Sequence, residues 1–201
     1  LSDDPLFVII NSYTTGLAPS AVSYAADVVF GMDTSALPAP DRSGDVGVSV
    51  IDLSFRENLR EHTEWYEAAT ASLIESSVQN GKSIKLFAFC RGEGDTTACE
   101  RICARLKSDI ASRVEVITYD GNIDNFLTSL RSVESLYAAR FHATILGALF
   151  GIPTVPVIYS DKTQYILNDI GWKGATIDIR RADAQPQNPA PYALDADTLQ
   201  G

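Results

Sequence analysis

From Asp45 onward, short β-branched runs alternate with segments of helical periodicity, and this alternation limits the possible folds more than any other feature of the chain. It predicts strands at Val46 to Ile51, Ile84 to Phe89, Val114 to Tyr119, Val133 to Ala138, Thr154 to Tyr159 and Ala175 to Ile179. Between the first two, Leu59, His62, Tyr66, Ala69 and Leu73 recur at steps of three and four, one face of a long helix closed by Asn80-Gly81. A strand, a covering helix and a second strand joined by short connections make a parallel pair through a right-handed crossover. Repeated, that unit gives an α/β fold, a Rossmann-like doubly wound parallel sheet.

The other helices follow the same logic. After Gly92-Glu93-Gly94-Asp95, Thr97 and Glu100 have capping-box spacing, and Ala98, Ile102, Leu106 and Ile110 form an apolar stripe. Asp120-Gly121 precedes a shorter helix with Ile123, Phe126, Leu127 and Leu130 on one face. Phe141 to Phe150 is apolar nearly all round, which predicts burial, and Gly151-Ile152-Pro153 stops it. Residues 1–41 stand outside the repeat: Leu6 to Ile10 and Asp27 to Phe30 read as strands and Pro38-Ala39-Pro40 as a linker, the remnant of a preceding domain. The Rossmann-like domain spans 42–181. Residues 182–201 form a C-terminal tail, rich in Pro, Gln and Ala, that either lies on the surface or straps a neighbouring domain.

A net charge of -10 would repel a polyanion, so nucleic acid is not an expected partner. No run reaches the roughly 18 apolar residues of a membrane span, and no signal segment is visible. The three cysteines, Cys90, Cys99 and Cys103, lack paired CxxC spacing and read as inert thiols of a reducing compartment. The expected location is the cytoplasm, including the inner face of the membrane. Homo-oligomerisation is left open.

In a doubly wound sheet, ligands bind beyond the carboxyl ends of the strands, at the point where the strand order reverses. Polar residues gather there: Asp52 to Arg56, Cys90 to Asp95, Asp120, Ala139 to His142 and Tyr159 to Lys162. With the order 3-2-1-4-5-6, the loop of Arg56 neighbours that of Arg140 and His142 across one crevice. An arginine at a helix start can fork onto a carboxylate or phosphate, and a histidine exchanges protons near neutrality. Arg140 and His142 could therefore grip an acid and protonate it. The alternative is structural: Arg140 paired with an acidic neighbour such as Asp120, and His142 packed inside. His62, the second histidine, reads as a core or boundary residue of its helix. Gly92-Glu93-Gly94-Asp95 fits a helix-capping turn better than a phosphate cradle, because its carboxylates oppose an anion. Asp161 can cap the last helix, leaving Lys162 as an anion contact or a surface charge.

The segment Arg140-Phe141-His142-Ala143, with Gly151-Ile152-Pro153, Tyr159, Lys162 and Leu167 through Gly171, resembles the signature region of the polysaccharide pyruvyl transferase family. The similarity extends upstream through Tyr119-Asp120-Gly121, Asp95 and Val46 to Val50, as far as Asp27 to Phe30. It implies the C-terminal half of a two-domain, GT-B-like enzyme with its site between the halves. It implies phosphoenolpyruvate as donor, a glycan or sugar-lipid acceptor, a pyruvate ketal as product, and no metal or other cofactor. His142 would be the general acid, and Arg140, Phe141, Lys162 and Arg56 would bind substrate. The family's donor-binding arginine at the end of the first strand falls here near Ile51 or Asp52, and the nearest arginine is Arg56. An Arg-Asp/Glu pair common in the family stands as Ile10-Asn11. Two other readings share the fold: a nucleotide-sugar-dependent glycosyltransferase, and a non-catalytic domain. The isolated chain is expected to be inactive, since the acceptor side of the cleft would lie in the other half.

Overall fold

The computed structural model describes residues 27–42, 44–184 and 189–194. The chain divides into two compact units, residues 1–32 and 33–201. Of the first, the described part is a short 3-10 helix, Val28–Gly31. The strand expected at Asp27 to Phe30 is thus a helical turn, because the Asp27 carboxylate accepts the Val29 N–H at 3.1 Å and caps it. The expected strand at Leu6 to Ile10 lies outside the described residues.

The second unit is built on a six-stranded parallel sheet: β1 (Val46–Val50), β2 (Ile84–Ala88), β3 (Val114–Thr118), β4 (Ser135–Ala138), β5 (Thr154–Ile158) and β6 (Ile177–Asp178). The order is β3-β2-β1-β4-β5-β6, the topology assumed from sequence. The last strand is only two residues of the expected Ala175 to Ile179. The helices are α1 (Thr63–Gln79), α2 (Asp95–Ala104), α3 (Ser108–Ala111), α4 (Ile123–Arg131), α5 (Phe141–Leu149) and α6 (Asp161–Asp169).

The period of two along each strand divides the core into two faces. Val46, Val48 and Val50 of β1 and Leu86 of β2 pack with Leu73 and Ile74 of α1 and with Ala98, Cys99 and Ile102 of α2. On the alternate register, Phe87 meets Phe126 of α4 edge-to-face at 5.7 Å. Gly47 and Gly147 leave room on that side: a Cβ on Gly47 would lie 3.1 Å from Leu136 and Val133, and one on Gly147 would lie 2.5 Å from Thr154 Oγ1. Helix α5 can therefore lie close against β5, and the residues of its core are buried as its composition predicts.

Several ends differ from expectation. Helix α1 closes as foreseen, with Gly81 N–H on the Val78 carbonyl and Lys82 N–H on that of Ser77. Helix α2 stops at Ala104, so Ile110 of the expected stripe belongs to the separate turn α3. The Thr97–Glu100 capping box is not used: the N-cap of α2 lies three residues earlier, at Gly94 in the left-handed region. Asp161 likewise is the first residue of α6 rather than its cap, and its carboxylate pairs with Arg180.

The Pro38 segment is held on the second unit by Arg131 Nη1, which donates to the carbonyls of Leu37 and Pro38 at 3.3 and 3.0 Å. In the described part of the C-terminal segment, residues 189–194, the chain is fixed to the domain's own sheet. Tyr192 exchanges backbone hydrogen bonds with Thr154 at the start of β5, and Tyr137 Oη donates to the Pro189 carbonyl at 3.2 Å. Trp172 meets the Tyr192 ring edge-to-face.

Candidate functional site

Because β1 and β4 are adjacent in the sheet, their C-terminal loops flank one crevice at the switch point, with the β2 loop beside them. The short turn after β2, Arg91–Glu93, is followed by Gly94 with φ of +85°, and α2 begins at Asp95. A Cβ on Gly94 would lie 2.7 Å from Asp52 Oδ2 and 2.9 Å from Phe55 Cε2, so glycine is required there for space as well as conformation.

Arg140 is the N-cap residue of α5 and is buried, its own N–H on Ser49 Oγ at 3.1 Å. Its guanidinium forks onto Asp95: Nε donates to Oδ2 at 2.9 Å and Nη2 to Oδ1. Asp95 is fully buried, and its Oδ2 also accepts the Cys90 N–H at 2.9 Å. The structural pairing weighed from sequence is therefore present, but the partner is Asp95 and not Asp120, whose carboxylate accepts the N–H of Asn122. The remaining arm, Nη1, donates to Glu93 Oε2 at 2.7 Å. Burial alone would lower the Arg140 pKa, but the hydrogen bonds it donates to Asp95 and Glu93, and their charges, outweigh it and hold the pKa above the usual value.

Arg56 reaches the same oxygen from the β1 loop. Its Nη2 donates to Glu93 Oε2 at 2.7 Å, and its guanidinium carbon sits 4.9 Å from the centre of the Tyr159 ring beyond β5. Hydrogen bonding by Arg140, together with the charges of Arg140 and Arg56, holds the Glu93 carboxyl below the ordinary carboxylate range despite partial burial. Two guanidiniums thus converge on one carboxylate oxygen of a side chain that is 52% exposed.

Phe141 and His142 occupy the first turn of α5, where backbone N–H groups lack intrahelical acceptors and favour an anion. Phe141 is buried and meets the His142 ring edge-to-face at 5.3 Å, while His142 itself is exposed. Among the described residues, the imidazole has no hydrogen-bond partner. The Lys162 ammonium lies 3.7 Å from the centre of the Phe141 ring, a cation–π contact that brings the β5 loop to the start of α5. His62 is partly buried beside Glu61, at the boundary position expected for it.

The structure therefore joins Arg56 to Arg140 through Glu93, and His142 to Lys162 through Phe141. The role of Glu93 was missed from sequence: it reads there as a charge that repels an anion, and the available signal was two carboxylates in a loop adjacent to two arginine-bearing loops. Phe55 was also missed. It is 75% exposed beside Arg56, a large apolar ring at the lip of the crevice.

A buried ion network supports the β1 loop from behind. Asp52 is buried with Oδ1 on Arg101 Nη2 at 2.9 Å and on the Ser54 N–H at 2.8 Å, and Arg101 Nε donates to Glu67 Oε1 at 2.7 Å. Burial would raise the Asp52 pKa, but these hydrogen bonds and the Arg101 charge leave it below the usual value.

The sheet order and the polar crevice at its switch point define a Rossmann-like α/β domain of the GT-B type. The solved structure of E. coli ADP-heptose LPS heptosyltransferase II shares the fold, with a TM-score of 0.52 at 15% identity over 81% of this chain and 44% of that one. The chain thus spans less than half the length of that protein. The polysaccharide pyruvyl transferase family model matches residues 15–161, and the chain belongs to that family. No curated protein matches it significantly. No described helix is long and apolar enough to cross a membrane.

Proposed function

We propose that the complete protein transfers an enolpyruvyl-derived group from phosphoenolpyruvate to two hydroxyls of a sugar in an exopolysaccharide or cell-wall glycan, forming a pyruvate ketal. The observation that carries this reading is the convergence of Arg56 and Arg140 on a single carboxylate oxygen at the switch point, beside an exposed His142. Two fixed guanidiniums mark a position suited to a carboxylate or phosphate. Arg140, pinned from behind by Asp95, would orient the donor, with Arg56 and Lys162 adding positive charge and Phe141 holding Lys162 and His142 in place.

In this mechanism His142 gives its proton to the terminal methylene carbon of the donor. Positive charge then develops at C2, shared with the ester oxygen, and a sugar hydroxyl adds there as it loses its own proton. The C2–O bond to phosphate breaks, and a second hydroxyl of the same sugar closes the ketal. Of the two protons the hydroxyls release, one returns the histidine to its protonated form and the other leaves with the departing phosphate. Fixing the donor's carboxylate and phosphate beside the acid lowers the entropic cost of the first step.

The test is incubation of the complete protein with phosphoenolpyruvate and candidate sugars. Phosphate release with appearance of a ketal supports the assignment, with Arg140→Ala nearly silent. Stabilisation by a uridine or guanosine nucleotide, with none by phosphoenolpyruvate, would instead favour glycosyl transfer from a nucleotide sugar.

A further inference from the structure

We propose that Glu93 is an internal competitor for the donor's anionic group: its carboxylate occupies the Arg56–Arg140 position, and a bound anion must displace it. The inference rests on reading the crevice as the donor site.

The two carboxylates on this loop hold Arg140 differently. Asp95 is fully buried, uses both oxygens on the guanidinium and is tied to the Cys90 N–H, so it fixes the side chain. Glu93 is half exposed and engages the arginines through Oε2 alone. Removing it would leave Arg140 oriented by Asp95 and Arg56 resting on the Tyr159 ring, both facing the vacated position. Its side chain is already 52% exposed, so its carboxylate borders the solvent into which it would turn.

Charge decides between displacement and coexistence. Arg56 and Arg140 carry two positive charges, and Glu93 and Asp95 carry two negative ones. An incoming phosphate would add further negative charge within a few ångströms of Glu93, where like charges repel strongly in a partly buried setting. Exchange of the carboxylate for the ligand's oxygens keeps the arginines paired and lets Glu93 rotate into water. The same exchange favours ligands that can bridge both guanidiniums, which a carboxylate or phosphate does and a neutral sugar does not.

The experiment is calorimetric titration of the complete protein with inorganic phosphate and, separately, phosphoenolpyruvate, comparing wild type with Glu93→Gln and Glu93→Ala. Both variants should bind phosphate at least tenfold more tightly. Equal or weaker binding in both variants overturns the proposal, as does absence of phosphate binding in all three proteins. Tighter phosphate binding with no binding of phosphoenolpyruvate upholds the displacement and rejects the donor. Equal phosphoenolpyruvate binding in all three retains the donor and rejects the displacement. Failure of both variants to fold would make Glu93 a structural pin and also overturn it.

Discussion

Arg140 and Asp95 form a buried, two-pronged ion pair that ties the start of α5 to the start of α2 across the intervening β1. Breaking such a pair by removing one member leaves an uncompensated buried charge. Asp95→Ala is expected to cost about 3–5 kcal/mol, or roughly 10 °C in melting temperature for a chain of this size. Differential scanning calorimetry checks it; a shift of a degree or less would mean that Asp95 does not anchor Arg140.

Gly94 provides a second test of the same loop. With φ of +85° and Asp52 and Phe55 in the path of any Cβ, Gly94→Ala combines backbone strain with a steric clash. The expected destabilisation is about 1–3 kcal/mol, read from urea unfolding. Gly92→Ala, where the space is open, should cost little by comparison.

The six strand positions were legible because a parallel βα repeat carries its own punctuation of β-branched runs, capped helices and glycine stops. Their order was assumed as the commonest for such a sheet, and the structure adopts it. Side-chain pairing across the crevice was not legible. The sequence offered Asp120 as an example of an acidic partner for Arg140, whereas sheet order places the β2 loop, with Glu93 and Asp95, on the near side. The strand expected at Asp27 to Phe30 failed for a local reason, since the Asp27 side chain caps a helical turn that β-branched composition disguises. The capping box at Thr97 failed because Asp95 is recruited by Arg140 and draws the helix start back to Gly94. In each case a polar side chain was claimed by a partner that hydrophobic periodicity does not reveal.

Arg101 is the hub of the network behind the crevice, paired with two carboxylates that are themselves buried. Arg101→Ala would leave Asp52 without its cation and Glu67 with only the 3.3 Å pair to Arg105; because Arg101 itself is partly solvated, the expected cost is about 2–3 kcal/mol at neutral pH. The pH dependence has a definite sign. Asp52 has a folded pKa below its unfolded one, so its contribution is complete above the ordinary carboxylate range and is lost as pH falls through the folded value. The difference in stability between wild type and Arg101→Ala should therefore shrink on acidification, as measured by urea unfolding from pH 7 downward. A difference that grows in acid would contradict the assignment.

His142 and Phe141 are adjacent yet should respond in opposite ways. Phe141 is buried at the start of α5, between the His142 ring and the Lys162 ammonium, so Phe141→Ala should cost about 3 kcal/mol of stability. His142 is exposed, so His142→Ala should leave stability within about 0.5 kcal/mol of wild type. If it supplies the proton, the same substitution should lower kcat by roughly 10²–10⁴-fold. Its KM for phosphoenolpyruvate should change little, because the arginines rather than the imidazole hold the donor. Arg56→Ala provides the contrast, raising KM more than it lowers kcat. Measuring kcat, KM and melting temperature on all three variants separates proton transfer, packing and anion binding. Full activity in His142→Ala would transfer the acid's role to another group.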